Sequence, residues 1–177
     1  MNYFELYELP VSFGVDEGAL KRKFYELSKK FHPDFHISES PEEQDRVLEL
    51  STQNNKAYQV LSSPMKRIEY VLGLNNLIGE GEKYQLPQSF LMEMMDVNEA
   101  IMEQEFLPDA AALEDIKAEV AVIEGKLFDE LKTCTEAFDS DPQADKPALL
   151  LKIKDIWYRQ KYLLRIRESL NRFASRL

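Results

Sequence analysis

Few residues in this sequence can do chemistry, and most of them sit together. His32 and Asp34 flank Pro33, and His36 follows shortly after. A histidine near a carboxylate could serve acid–base work, and two nearby histidines could begin a metal site. Pro33 argues against both. It disfavours helical geometry in the residue before it, so His32 and His36 do not share one regular helical face. No third ligand stands at a suitable spacing, and the chain has no glycine-rich phosphate loop. Cys134 is the single cysteine, too few for an intramolecular disulfide or a cysteine-based zinc site. Catalysis and a resident cofactor are therefore not expected. What remains is a carboxylate on a stiffened turn. Asp34 there suits a charge-assisted hydrogen bond from an arginine of another protein. The plain alternative is a Pro-terminated helix followed by a turn-forming aspartate.

Two helices must position that turn. The first opens at Asp16, a good N-cap, with Glu17 adding negative charge to its first turn. Leu20, Phe24, Leu27 and Phe31 recur at helical spacing and predict its buried stripe. Lys21, Arg22, Lys23, Lys29 and Lys30 lie away from that stripe, as either a solvated face or a docking surface for an acidic patch. The adjacent His-Pro-Asp favours docking. The second helix starts at Pro41, a favourable first helical position, and carries Val47, Leu50, Asn54, Ala57, Tyr58 and Leu61 inward. Pro64 ends it. A short helix over residues 2–9, closed by Pro10, and another running to about Leu72 flank this antiparallel hairpin.

With these flanks the segment resembles a J-domain, the module by which co-chaperones stimulate DnaK-type ATPases. The opening Asn2-Tyr3-Phe4-Glu5-Leu6 is similar to the first helix of that family. Asn55, Ala57, Tyr58 and Leu61, then Pro64, Arg67 and Tyr70, match its later signature. The resemblance implies that His32, Pro33 and Asp34, with Lys21, Arg22 and Lys29, contact the ATPase. Tyr25 and Glu26 stand where many J-domains are basic, which points to a specialised ATPase partner.

Residues 73–87 break the pattern with Gly73, Gly79, Gly81, Asn75 and Asn76. Beyond them three longer amphipathic helices predict an antiparallel bundle. The second carries Leu113, Ile116, Val120, Ile123, Leu127, Leu131, Cys134 and Phe138, so Cys134 reads as a small buried hydrophobe. The third carries Leu149, Ile153, Ile156, Leu163, Ile166, Leu170, Phe173 and Leu177, interrupted by Gln160.

The first bundle helix is apolar on too wide an arc. Phe90, Met94, Val97 and Ile101 suffice for a core stripe. Leu91, Met92, Met95 and Met102 fall roughly 90–190° away from it at helical periodicity, with Asp96, Glu99 and Glu103 at the far edge. Either this helix is more deeply buried than its neighbours, or it exposes a Met-rich binding patch with an acidic rim. The second reading is favoured.

Here the chain resembles the HscB family, J-type co-chaperones of iron–sulfur cluster assembly. That family's motif, Phe-Leu-Met-Glu-x-Leu-Glu, stands here as Phe90-Leu91-Met92-Glu93-Met94-Met95-Asp96. The resemblance implies that Leu91, Met92, Met95, Asp96, Glu99 and Glu103 bind the scaffold protein (IscU-like) on which clusters are assembled. It implies an aromatic contact from the last helix, best matched by Tyr158, with Trp157 and Tyr162 close by. The ATPase would be HscA-like. A general co-chaperone for misfolded clients, or a structural adaptor, are the alternatives. No Gly/Phe-rich linker or paired-cysteine module supports the first, and the intact His-Pro-Asp counts against the second.

The expected fold is all-α. A J-domain hairpin with short flanking helices spans 1–74, a linker packed at the domain junction 75–87, and a three-helix bundle 88–177. Composition agrees, with 44% hydrophobic residues and only 6 glycines in 177. Residues 76–151 hold 5 basic and 18 acidic groups, whereas residues 152–177 hold 8 and 2. The acidic middle argues against nucleic acid, and the basic end reads as a helix packed beside acidic ones. No apolar run reaches membrane-span length, and the N-terminus carries neither a signal nor an Arg-rich transit pattern. A cytoplasmic, non-membrane setting is expected.

Overall fold

The computed structural model describes residues 1–79 and 81–176. Among these residues it contains seven α-helices, one 3-10 turn and no strand, so the all-α expectation holds. The chain divides into two compact units, Met1–Asn76 and Leu77–Leu177.

The first unit consists of α1 (Tyr3–Leu6), α2 (Glu17–Lys30), α3 (Pro41–Leu61) and α4 (Pro64–Leu74). Each start has a local cause. Asn2 and Glu5 form a capping box on α1, Asp16 caps α2 at the Ala19 amide (2.7 Å), and Ser40 caps α3. Pro41 and Pro64 sit at the first positions of α3 and α4, where a missing N–H costs nothing. α1 is shorter than expected. It ends at Leu6, and Glu8 follows with φ 56°.

Phe4, Leu20, Leu27, Val47, Ala57, Leu61 and Val71 form the apolar centre of this unit. Phe24, which stacks on Tyr58 at 4.3 Å, and Phe31, which caps the end of α2, are only half-buried. Two buried polar side chains join the helices. Asn54 accepts from the Tyr7 hydroxyl (2.8 Å) and donates to the Phe24 carbonyl (3.2 Å) and Ser28 Oγ (3.0 Å), so α1, α2 and α3 meet at one amide. Arg67 donates to the Phe13 carbonyl (2.6 Å) and to the Leu61 carbonyl near the end of α3. Losing one partner of such a buried bond costs about 1–3 kcal/mol. Tyr70 stacks on Tyr3 at 4.6 Å and accepts from its amide (2.9 Å).

The second unit is built from α5 (Gln88–Phe106), α6 (Ala110–Ser140) and α7 (Lys146–Ala174). All eight residues of the expected α6 stripe are buried, Cys134 among them. On α7 the seam is shifted. Leu150 and Trp157 are fully buried, whereas Leu149 and Phe173 are half-buried. Leu177, the last residue of the expected seam, lies outside the described residues. Arg167 pairs with Glu124 through both guanidinium and carboxylate edges, and Arg159 pairs with Glu130 at 3.3 Å. Position numbers rise on α7 as they fall on α6, so the pair is antiparallel. The basic C-terminal helix thus lies against acidic α6.

The expected linker divides between the units. Asn75 and Asn76 close the first, and residues from Leu77 belong to the second. There Glu82 bonds Lys154 at 2.5 Å and the Tyr158 hydroxyl at 3.0 Å. Tyr84 stacks on Tyr158 at 4.4 Å and donates to Asp155 at 2.7 Å. Residues 82–84 therefore form a strap on α7.

Candidate functional site

The first candidate site is the His-Pro-Asp turn. α2 ends at Lys30, and His32 adopts extended geometry (φ −74°, ψ 123°) ahead of Pro33, as the proline requires. Pro33–Phe35 form a single 3-10 turn. His32 Nδ1 accepts from the Asp34 amide at 3.3 Å and lies 3.7 Å from the Asp34 carboxylate. His32 thus works as a cap for the turn. The Asp34 carboxylate is 77% exposed, with its oxygens open to a donor from outside.

The turn is braced from behind. His36 Nε2 meets the Lys30 carbonyl and His36 Nδ1 meets the Glu39 carboxylate, each at 3.0 Å. Gln44 on α3 donates to the carbonyls of Ile37 (3.0 Å) and Glu39 (2.9 Å). The Lys30 carbonyl and the Glu39 carboxylate raise the His36 pKa above its ordinary value. Asp34 is therefore presented on a cross-tied loop. Of the basic residues on α2, Lys21, Arg22, Lys29 and Lys30 are exposed. Lys23 is held by Glu8 at 2.7 Å and Glu26 at 3.4 Å, which removes it from that face.

The second candidate site is the outer face of α5. Phe90, Met94, Val97 and Ile101 are buried. Leu91, Met92 and Met95 are 40%, 62% and 67% exposed, and Asp96, Glu99 and Glu103 are exposed beside them. Met102 and Phe106 continue the apolar stripe toward the end of the helix, exposed as well. Phe106 carries no signal in the core periodicity, and sequence reasoning missed it.

Tyr158 is half-buried and engaged with Glu82 and Tyr84 of the strap. Burial and Asp155 push the Tyr84 pKa up to about 12, so its hydroxyl stays a donor to the Asp155 carboxylate. Trp157 is in the core. Tyr162 meets α5. Its hydroxyl accepts from Asn98 at 2.8 Å, and its ring meets Phe90 edge-on at 5.7 Å. Asn98 neighbours Leu91 and Met95 at helical spacing, so Tyr162 borders the exposed stripe. Among the described residues no group of three or more His, Cys, Asp or Glu could hold a metal ion. No helix among them is long and apolar enough to cross a membrane.

Comparison with known proteins adds the following. A DnaJ-domain family model matches residues 2–70, and a model described as the HSCB C-terminal oligomerisation domain matches residues 86–171. A co-chaperone protein HscB homolog from Pseudoalteromonas atlantica is 31% identical over 171 residues, covering 96% of this chain and 97% of the relative. One from Vibrio vulnificus is 43% identical over 106 residues, a match that spans 58% of this chain and only 61% of the relative. The human iron-sulfur cluster co-chaperone protein HscB is 31% identical over 154 residues, covering 86% and 63%. The crystal structure of the human protein matches with a TM-score of 0.73 at 29% identity, covering 100% of this chain and 84% of that one.

Proposed function

The chain belongs to the HscB family of co-chaperones, and on that premise we propose that it carries an iron–sulfur cluster scaffold protein to a DnaK-type ATPase. In this reading residues 1–74 engage the ATPase and residues 88–177 hold the scaffold, with 75–87 between them. Asp34 pairs with an arginine of the ATP-bound ATPase and favours hydrolysis. Lys21, Arg22 and Lys29 add attraction to an acidic surface, and His32 and Pro33 hold the carboxylate in place. The ATPase is HscA-like and the scaffold IscU-like. The chain itself catalyses nothing. These partners share a soluble compartment with it, which we take to be the cytoplasm.

The observation that carries the reading is the split face of α5. Its core stripe is complete without Leu91, Met92 and Met95, yet these apolar side chains stand in solvent above an acidic rim. Exposed methionines gain nothing for folding and suit an adaptable binding surface. Leu91, Met92 and Met95 would form the apolar centre of scaffold contact, Asp96, Glu99 and Glu103 its charged edge. The geometry favours Tyr162 over Tyr158 as the α7 aromatic at this surface.

The test replaces Leu91, Met92 and Met95 together by alanine. Melting temperature should stay within a few degrees, because the buried stripe is untouched. Scaffold affinity should fall strongly, since central apolar anchors are each worth roughly 1–3 kcal/mol. A sharp drop in stability with scaffold affinity intact would show these residues to be core.

A further inference from the structure

Leu91, Met92 and Met95 stand on the opening turns of α5, and those turns have a weak start. Pro87 holds the N-cap position, and its side chain has no acceptor for the orphan amides of the first turn. Gln88, Ser89 and Phe90 bring no negative charge there either. By contrast, Asp16, Ser40, Asp109 and Asp145 cap α2, α3, α6 and α7 through side-chain oxygens. The far end of α5 is fastened, because buried Gln104 accepts from the Asp109 amide at 3.0 Å. A helix start without a cap frays, and fraying here would scatter the three exposed apolar side chains.

The strap sits just ahead of that weak start. Between Tyr84 and the first residue of α5 lie only Gln85, Leu86 and Pro87. Glu82 is tied to Lys154 and Tyr84 to Asp155, and the Lys154 ammonium lies over the Tyr84 ring at 5.5 Å. Both anchors are on α7, the helix that also meets α5 through Tyr162. We propose that Glu82 and Tyr84 are positioning residues for the scaffold surface, holding the opening turns of α5 on α7 in place of a cap. This rests on the reading that Leu91, Met92 and Met95 meet the scaffold. A surface already ordered loses less freedom on binding, so the strap raises affinity without adding a contact of its own. Lys154 and Asp155 hold the strap independently of Tyr158, so the test removes Glu82 and Tyr84 together.

The test compares the full chain carrying Glu82→Ala/Tyr84→Ala with the same chain carrying Pro87→Ser in addition. Serine at the N-cap supplies the missing acceptor and restores no part of the strap. Amide hydrogen exchange is followed in the free chain, and binding of an IscU-like scaffold protein is measured by calorimetric titration. The strap variant should exchange faster over residues 88–95, with α6 unchanged, and should bind scaffold about fivefold more weakly. Adding Pro87→Ser should slow that exchange and recover most of the affinity. If the strap variant melts early, Glu82→Gln/Tyr84→Phe takes its place, with the same outcomes at smaller size. Unchanged exchange over residues 88–95, or unchanged affinity despite faster exchange, overturns the positioning role and leaves the scaffold reading standing. A serine that fails to slow the exchange overturns it too, since the start of α5 is then not what the strap holds. An affinity loss that persists after the serine has slowed the exchange would make the strap a direct scaffold contact and refute the proposal. If the unsubstituted chain does not bind scaffold, or the triple alanine variant at Leu91, Met92 and Met95 binds it normally, the scaffold reading falls and this inference with it.

Discussion

The Asp34 carboxylate has His32 Nδ1 at 3.7 Å and otherwise faces solvent. It is 77% exposed, and the turn is held through His32, His36 and Gln44. Asp34→Asn should therefore leave the melting temperature unchanged while weakening the ATP-bound complex. Truncating one member of a desolvated charge pair costs roughly 2–5 kcal/mol. Calorimetric titration checks this, and an affinity unchanged by the substitution would remove Asp34 from the interface. His36 has a different signature. Only its imidazolium form donates from both nitrogens, to the Lys30 carbonyl and the Glu39 carboxylate, and its folded pKa is raised for that reason. A raised folded pKa means its bracing contribution is whole below about pH 6.5, the unfolded value. The contribution is lost as pH climbs through the folded pKa. An NMR titration should place the His36 midpoint above its ordinary value, and a midpoint at or below it would contradict the bracing. The sequence pointed to His32, Pro33 and Asp34 but not to these braces. A histidine–carbonyl contact between Lys30 and His36 depends on a loop path that spacing does not encode.

At the scale of elements, legibility followed periodicity. The α6 stripe was readable in full because one long helix repeats a single buried face. α7 was read less well. Trp157 is core and Leu149 is half-buried, since α7 packs on two helices and its buried arc is wider than a single seam. Sequence similarity favoured Tyr158, whereas packing ties Tyr158 to the strap and Tyr162 to Asn98 and Phe90. Asn54 was read as one position in the α3 stripe, and only the assembled unit reveals it as the amide that joins three helices. Tyr162→Ala should weaken scaffold binding several-fold. Tyr158→Ala should instead release Glu82 and Tyr84, seen as faster amide hydrogen exchange in residues 82–86. Equal scaffold affinities for the two variants would show that neither aromatic is specific to the surface.

For the whole molecule, two independent readouts must exist, because each unit carries its own candidate surface. The charge pattern supports the separation. The acidic excess of residues 76–151 lies along the chain that forms α5 and α6, while the exposed Lys21, Arg22 and Lys29 lie on α2. The chain's fold should also be independent of metal. Both units close through apolar cores and protein hydrogen bonds, so chelator should leave the melting temperature where it is, and a chelator-sensitive melt would refute this. The central claim is that one chain couples a scaffold to an ATPase through separate surfaces. Single-turnover ATP hydrolysis by the ATPase, with and without scaffold, tests it most directly. The unsubstituted chain should stimulate alone and more strongly with scaffold, and Asp34→Asn should do neither. The triple alanine variant at Leu91, Met92 and Met95 should stimulate normally alone yet gain nothing from scaffold. If that variant loses its own stimulation, or keeps the full gain from scaffold, the two-surface account is wrong.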